Sequence, residues 1–556
     1  MRQIIEVIHS DPNQDIRQFI ETVSADLLDL QRFHNISISP TRRERFEEYY
    51  KSSLASLKDI PFKHLNQDGK IDYLLIQNYL ERDLRQLYLT AEKDEKTRPL
   101  LSFAPGIVKL CEDRQAMKRV DGKKAAQVIF EISKQISQTK SQIQAQKIKV
   151  DRTSAYRAAK TVDELRSHLE EWYGFFDGYD PLFSWWVKDP YVKVKKELEE
   201  LPVVIKETLV GIDPDDNDAI VGDPIGREGL LADLEAEMIP YGPEALIEIG
   251  ELEYMWCEKE MKEASRELGY GDEWRDALEY VKNLYVEPGG QPELVRWLSD
   301  KATEYVEKHD LVTIPRIAKE NWRMFMMAPE RQKVNPFFLG GTSMIVSYPT
   351  DTMDHETKMM SMRGNNVHFS RSTVFHEMIP GHHLQYHMMA RYKPYRQMFS
   401  TPFWVEGWAL YWEMILWDKK FPATPENKIG MLFWRMHRCA RIIFSIKFHL
   451  GKMSPQECID LLVDWVGHER STAEGEVRRS FASDYSPLYQ AGYMLGALQL
   501  YALRKEVVDT GKMTEKQYHD RVLQANMMPI ELLRALITDQ HVSTDFKPSW
   551  RFYEEK

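Results

Sequence analysis

Residues Phe375–Gln385 read FHEMIPGHHLQ, and the reading of this stretch decides the reading of the rest. Three histidines, one glutamate and a Pro-Gly step fall within one helix-length segment. Histidine is the commonest protein metal ligand, and a glutamate beside a zinc-held water can take its proton. Helical zinc sites usually read H-E-x-x-H, because one turn puts both imidazoles on one face. Here His376-Glu377 opens such a motif, but Pro380 stands where the second histidine belongs. An unbroken helix would align His376 with His383 and turn His382 off that face. Pro380 has no N–H and its ring crowds the preceding turn, while Gly381 loosens the backbone. The helix is therefore expected to bulge at Pro380-Gly381, and a bulge that absorbs two residues carries His382 into the vacant ligand position. Without it, the histidines would be ordinary core or surface residues.

A second stretch completes the set. Thr401–Glu413 reads TPFWVEGWALYWE, and Glu406 follows His382 by 24 residues. That interval lets one helix end and an antiparallel one return beside it. His376, His382 and Glu406 would hold Zn2+ and leave a position open, the pattern of a catalytic site. Gly407 lets a neighbouring backbone come close. Glu413, two turns on, lies on roughly the same face as Glu406. It is a rival ligand, or a partner that orients a histidine. His383 also stays open as a rival.

These motifs resemble the domain-of-unknown-function-885 family, whose members are similar to gluzincin metallopeptidases. HExxPGHHLQ and EGWALY carry the resemblance. Arg441–His449 (RIIFSIKFH) is similar to that family's Arg…His helix, and Pro487, Gln490, Ala491, Tyr493 and Gly496 to its closing pattern. The chain departs from the pattern at Ser445, Lys447 and Phe481. The resemblance implies a large, mainly α-helical, zincin-like fold around a deep cleft, which would favour short peptides over folded proteins.

The rest of the chain bounds the answer. With 43% hydrophobic and 29% charged residues in 556, the composition is that of a globular protein. A net charge of −12 leaves no basic surplus for nucleic acid and disfavours anionic membranes. Cys111, Cys257, Cys439 and Cys458 form no C-x-x-C pair and read as reduced, buried residues. The N-terminal MRQIIEVIHSDPNQD reads as neither a signal nor an anchor, and no run of eighteen apolar residues occurs. A cytoplasmic location is the expectation, unless a leader has been trimmed away.

Apolar residues recur at helical spacing from Asp15 to about Lys149, in segments such as IDYLLIQNYLERDLRQLYL. Ser39-Pro40, Pro61, Asp68-Gly69 and Asp121-Gly122 read as turns. Thr161 with Glu164 reads as a capping box. SWWVKDPY (Ser184–Tyr191) reads as core or helix-junction packing, and Gly211–Gly226, with its aspartates, as a solvated loop. A strand is expected within Asn335–Pro349 and a second over Asn365–Ser370, with Arg371-Ser372-Thr373 then capping the zinc helix. Such an edge could pair with an extended peptide, and Tyr348 on it is a candidate substrate contact. Thr424-Pro425 and Ser454–Glu457 read as helix starts, and the end from Thr544 as a tail. Residues 1–310 form an N-terminal helical part and 311–556 the part with the zinc motif, in one continuous fold without a flexible linker.

The expected function is that of a zinc-dependent metallopeptidase acting on short peptides. Zinc would lower the pKa of a bound water, and Glu377 would take its proton and deliver it to the leaving amine. Tyr493 or His449 would donate to the oxyanion, the resemblance favouring Tyr493. Arg441 or Arg479 would hold a substrate carboxylate and so select short peptides by their C-terminus. Two other readings stand beside it. One is a zinc enzyme acting on an amide or ester of a small metabolite, and the other a non-catalytic helical binding protein. The partner is a peptide or small molecule, not nucleic acid or membrane.

Overall fold

The computed structural model describes residues 11–213, 216, 219–332, 337–482 and 485–553. It is mainly helical, as expected, and the described chain divides into two compact units. One unit holds Gln18–Pro61 and Gln77–Asp223; the other holds the described residues up to Arg17, Phe62–Ile76 and those from Pro224 onward. These units do not divide at residue 310. The helix Pro243–Glu267 runs so close to the helix Pro425–His449 that a Cβ on Gly250 would stand 3.2 Å from Ile442 and Ile443. Composition does not change where that packing begins.

In the unit of Gln18–Pro61 and Gln77–Asp223, Gly122–Gln144 packs beside Pro181–Ile205. Ile129, Ile132 and Ile136 recur at helical spacing and are buried with Val187, Val194 and Leu198. Each such side chain contributes about 1.5–3 kcal/mol of apolar burial. Asp121 caps the first of these helices as a turn residue should. Local readings in the N-terminal part of the chain hold only in part. Asp151, not Thr161, caps Arg152–Phe176; Thr161 lies inside it and bonds back to the Arg157 carbonyl, while Glu164 accepts from Ser37. Asp68-Gly69 lies inside the helix Gln67–Thr97. Of SWWVKDPY, Val187 and Tyr191 are buried as expected, while Trp185 is 81% exposed and Trp186 43%. In the loop after Gly211, residues 214, 215, 217 and 218 lie outside the described residues.

In the other unit, Arg396 anchors Phe62–Ile76. It is fully buried, with Nε donating to Asp72 at 2.7 Å and Nη2 to Asp68 at 3.0 Å. Thr424 and Ser454 cap their helices with proline at the first position, as read from sequence. The end of the chain is less of a tail than expected: Phe552 is buried, and the Tyr553 hydroxyl donates to Glu253 at 3.2 Å. Among the described residues the sheet is a single parallel pair, β1 (Met324–Met326) with β2 (Met344–Val346). The first expected strand thus shrinks to three residues, and residues 335 and 336 of it lie outside the described set. The second is corrected outright. Asn366 caps a helix over Val367–Glu377 by accepting from the amides of His368 and Phe369, both at 3.0 Å. Ser372 and Thr373 therefore sit inside that helix and cap nothing. All four cysteines are buried and free, and no described helix is long and apolar enough to cross a membrane.

Candidate metal centre

The histidine segment breaks where a bulge was expected. Its first helix ends at Glu377, and a new one starts at His382 and runs to Met389. A residue before proline is pushed out of the α region, and proline has no N–H to continue the ladder. The broken step is held from outside, the Trp408 indole donating to the Pro380 carbonyl at 3.0 Å. Gly381 is required there. Any Cβ would fall 1.8 Å from the His376 carbonyl oxygen.

The break has the effect the bulge was meant to have. His376, His382 and Glu406 each offer one ligand atom, all lying within 4.8 Å of one another and all buried. The Nε2 atoms of His376 and His382 lie 3.6 Å and 3.1 Å from the same Glu406 oxygen, Oε2. Their other nitrogens are occupied. His376 Nδ1–H donates to Glu413 at 2.8 Å, and His382 Nδ1–H to the Gln385 oxygen at 3.1 Å. Gln385 is itself oriented by donating to the Trp404 and Val405 carbonyls. Both Nε2 lone pairs are thus turned toward a carboxylate oxygen. With both imidazoles neutral, that set of three acceptors fits a cation, and neighbours that fix the imidazoles usually accompany one.

Electrostatics agree. Burial pushes the Glu406 carboxyl up, but the two imidazoles outweigh it and hold it well below the usual range. Burial lowers His382, and Glu406 then lifts it to about 9. The trio therefore calls for positive charge, supplied by protons or by a metal. Glu377 follows His376 and lines the same cavity; burial raises its carboxyl above the ordinary value.

Glu406 and Tyr493 reach the site through one helix pair. The helix Pro402–Asp418 packs on Tyr489–Arg504, where Gly407 meets Gly496 so closely that a Cβ would stand 2.7 Å from the Gly496 carbonyl carbon. That is the close approach expected of Gly407. The cavity of about 210 Å³ is lined by the trio, Glu377, Tyr386, Tyr489 and Tyr493, with Arg438, Arg441 and Arg479. The Tyr493 ring stacks on His376 with centroids 6.1 Å apart, and its hydroxyl accepts from Arg479 Nη2 at 3.2 Å.

Several expected residues go elsewhere. His383, in line with His376 on an ideal helix, faces the carbonyls of Ala318 at 2.8 Å and Gly341 at 3.3 Å. The helix break rotates it away. Glu413 holds His376 from behind and does not join the trio. His449 packs on Phe448 and Phe481, and the Tyr348 amide donates to Gln332; neither lines the cavity. His449 is eight residues past Arg441, too far along the helix to face the same space. Gln385, Arg438 and Tyr489 were not anticipated. Tyr489 hydrogen-bonds the second oxygen of Glu406, Oε1. Gln385 sits three residues after His382 and Tyr489 four before Tyr493, spacings that could have flagged both.

No curated protein matches the chain. Two solved structures share its fold. One, described as "a putative lipoprotein of unknown function from Shewanella oneidensis", superposes with a TM-score of 0.69 at 18% identity, covering 94% of this chain and 99% of that one. Another, "the putative lipoprotein from Colwellia psychrerythraea", gives 0.60 at 16% identity, covering 95% and 99%. These relatives correct the cytoplasmic expectation, since both are described as lipoproteins. That no described helix could span a membrane carries no information about a covalent lipid. Residues 1–10, on which the expectation leaned, lie outside the described residues. Residues 31–537 match the family described as "Bacterial protein of unknown function (DUF885)", to which the HExxPGH and EGWALY motifs pointed, and the chain belongs to it.

Proposed function

We propose that this chain is a zinc-dependent metallopeptidase that hydrolyses short peptides in a zincin-like cleft, in the manner of gluzincins. One observation carries the reading: His376, His382 and Glu406 turn three acceptor atoms toward one point, with Glu377 on the wall of the same cavity. Two imidazoles and one carboxylate suit zinc and leave a coordination position free. A zinc ion held there supplies Lewis acidity toward a carbonyl and makes nearby water more acidic.

The chain's own residues supply the proton transfers. Glu377 takes a proton from the attacking water at a carboxylate oxygen and delivers it to the departing amine nitrogen. Its raised pKa suits both halves of that task, because a carboxylate nearer neutrality both accepts and releases readily. Tyr493 donates its hydroxyl hydrogen to the developing oxyanion. Burial keeps that hydroxyl protonated, and the bond from Arg479 polarises it.

The test is Glu377→Gln in full-length protein. It should retain about one zinc per chain and lose turnover of a peptide library by about 10²-fold or more. Undiminished turnover in the zinc-loaded variant would remove Glu377 from the mechanism. The modest cavity of about 210 Å³ favours a second reading, hydrolysis of an amide or ester of a small metabolite. Zinc bound at full stoichiometry with no peptide cleaved would select it. The lipoprotein description of both structural relatives supports, further, a place for this chain outside the cytoplasm at a membrane surface. Fractionation of cells producing the native gene checks this; recovery in the cytosol alone would reject it.

A further inference from the structure

Beside the trio, the cavity is lined by cations in a protein of net negative charge. Arg438 and Arg441 stand three residues apart on the helix Pro425–His449 and are 4% and 2% exposed. Both reach Tyr493: the guanidinium carbon of Arg441 lies 4.2 Å from the ring centroid and that of Arg438 5.0 Å. Arg479 touches the same residue through its hydroxyl.

The counter-charges of Arg438 and Arg441 are incomplete. Glu476 accepts from Arg441 Nε at 2.7 Å, but Arg441 Nη1 is buried with no acceptor among the described residues. Glu413 is 3.6 Å from Arg438 Nη2, beyond hydrogen-bond length, and already accepts from His376. Arg438 Nε is likewise buried with no acceptor among the described residues. A buried guanidinium with N–H groups unmet is costly, and folded proteins seldom keep one that nothing satisfies. An anion entering the cavity would satisfy both arginines.

We propose that Arg438 and Arg441, with Arg479, form a subsite for a carboxylate, and that its occupant is the free α-carboxylate of the substrate's last residue. The protein is then a carboxy-terminal exopeptidase. This rests on the hydrolytic reading above and adds the substrate class. A planar guanidinium matches a carboxylate in shape as well as charge. Distance sets the reach. The Tyr493 ring lies 6.1 Å from the His376 ring and 4.2 Å from the Arg441 guanidinium, so no more than about 10 Å separates the His376 ring from that guanidinium. At about 3.3–3.6 Å per extended residue, one or two residues fit between the cleaved bond and the terminal carboxylate. A chain continuing past the arginines would leave them unsatisfied. A side-chain carboxylate of an internal Asp or Glu offers the same chemistry, so the experiment must separate the two.

The full-length, zinc-loaded protein is given three N-acetylated peptides: Ala-Ala-Ala with a free carboxylate, the same peptide amidated, and amidated Ala-Ala-Glu. Mass spectrometry reads the products. The free acid should be cleaved at least 100-fold faster than either amide, releasing one or two residues. Calorimetry with the Glu377→Gln protein reads binding apart from turnover, and the acid should bind at least tenfold tighter than the amides. The double variant Arg441→Met/Glu476→Gln removes both members of a buried pair and should abolish that preference. Arg438→Met is a second route if the double variant does not fold. Equal cleavage or binding of acid and amide overturns the subsite, as does internal cleavage of a long peptide blocked at both ends. Preference for amidated Ala-Ala-Glu over amidated Ala-Ala-Ala, equal to that for the acid, overturns its α-carboxylate assignment. If no peptide is cleaved while the acid still binds selectively, the subsite stands and the peptidase reading falls.

Discussion

Replacing Gly407 with alanine adds one methyl group where two helices have no room for it. The new Cβ would lie 2.7 Å from the carbonyl carbon of Gly496, 2.8 Å from its Cα and 3.1 Å from the Ala497 nitrogen. The nearest is about 0.7 Å short of the 3.4 Å at which ordinary contact begins. These are main-chain atoms of a helix, so no side chain can rotate aside. The helices Pro402–Asp418 and Tyr489–Arg504 must move apart instead. Overpacking of this kind costs about 1–3 kcal/mol, and a rigid backbone partner puts it at the upper end. Alanine returns about 1 kcal/mol in helix propensity, leaving a net loss of about 2 kcal/mol. The adjacent residue is Glu406, whose Oε2 must stay near both imidazoles. A shift of about 0.7 Å exceeds the roughly 0.5 Å within which such constellations hold their geometry. Zinc affinity should therefore fall at least tenfold along with stability. Calorimetric melting and competition with a chromogenic chelator measure the two. Gly174→Ala is the control, since nothing lies within 4 Å of a Cβ there. A Gly407→Ala protein with wild-type melting and wild-type zinc affinity would refute the close helix approach and its link to the site.

Glu413→Gln should leave the shape of the site intact and weaken zinc binding about 10–100-fold, because the His376 Nδ1–H loses a charged acceptor; unchanged affinity in equilibrium competition would show that Glu413 does not orient His376. Acid should destabilise the protein through His519, whose burial lowers its pKa from 6.5 to about 4 while Leu311 accepts from its Nδ1–H and Tyr411 faces Nε2. The folded state favours the neutral ring, so this stability is fully present above pH 6.5 and is lost as the pH falls through 4, by about 3 kcal/mol in total. Urea midpoints at pH 7 and pH 4.5 test it, and equal midpoints would contradict it.

Much of the site could be read in advance because its chemistry is local. His376, Glu377 and His382 fall within seven residues, and Pro380 names the place where the helix must yield. Glu406 was reachable because a carboxylate one helix length away has few other partners to meet. The manner of yielding was not legible. A bulge and a break both follow from a missing N–H, and the Trp408 bond to Pro380 that holds the break spans 28 residues. Asn365–Ser370 failed for a related reason. Its alternation of apolar and polar residues suits a strand, but the Asn366 side chain closes on two amides and starts a helix. Arg438 went unnoticed because one arginine in a 25-residue helix looks like another until the face toward the cavity is known.

Residue order alone settled the helical class, the donor types and the need for a kink, since each depends on side-chain chemistry or on neighbours a turn away. Packing decided which way His383 and Glu413 turn, which tyrosine bonds Glu406 and which arginines face the cavity. The meeting of Glu406 with its tyrosine depends on how closely two glycine-faced helices approach. That distance is set by atoms from residues 407 and 496, far apart in the chain and adjacent only once it has folded.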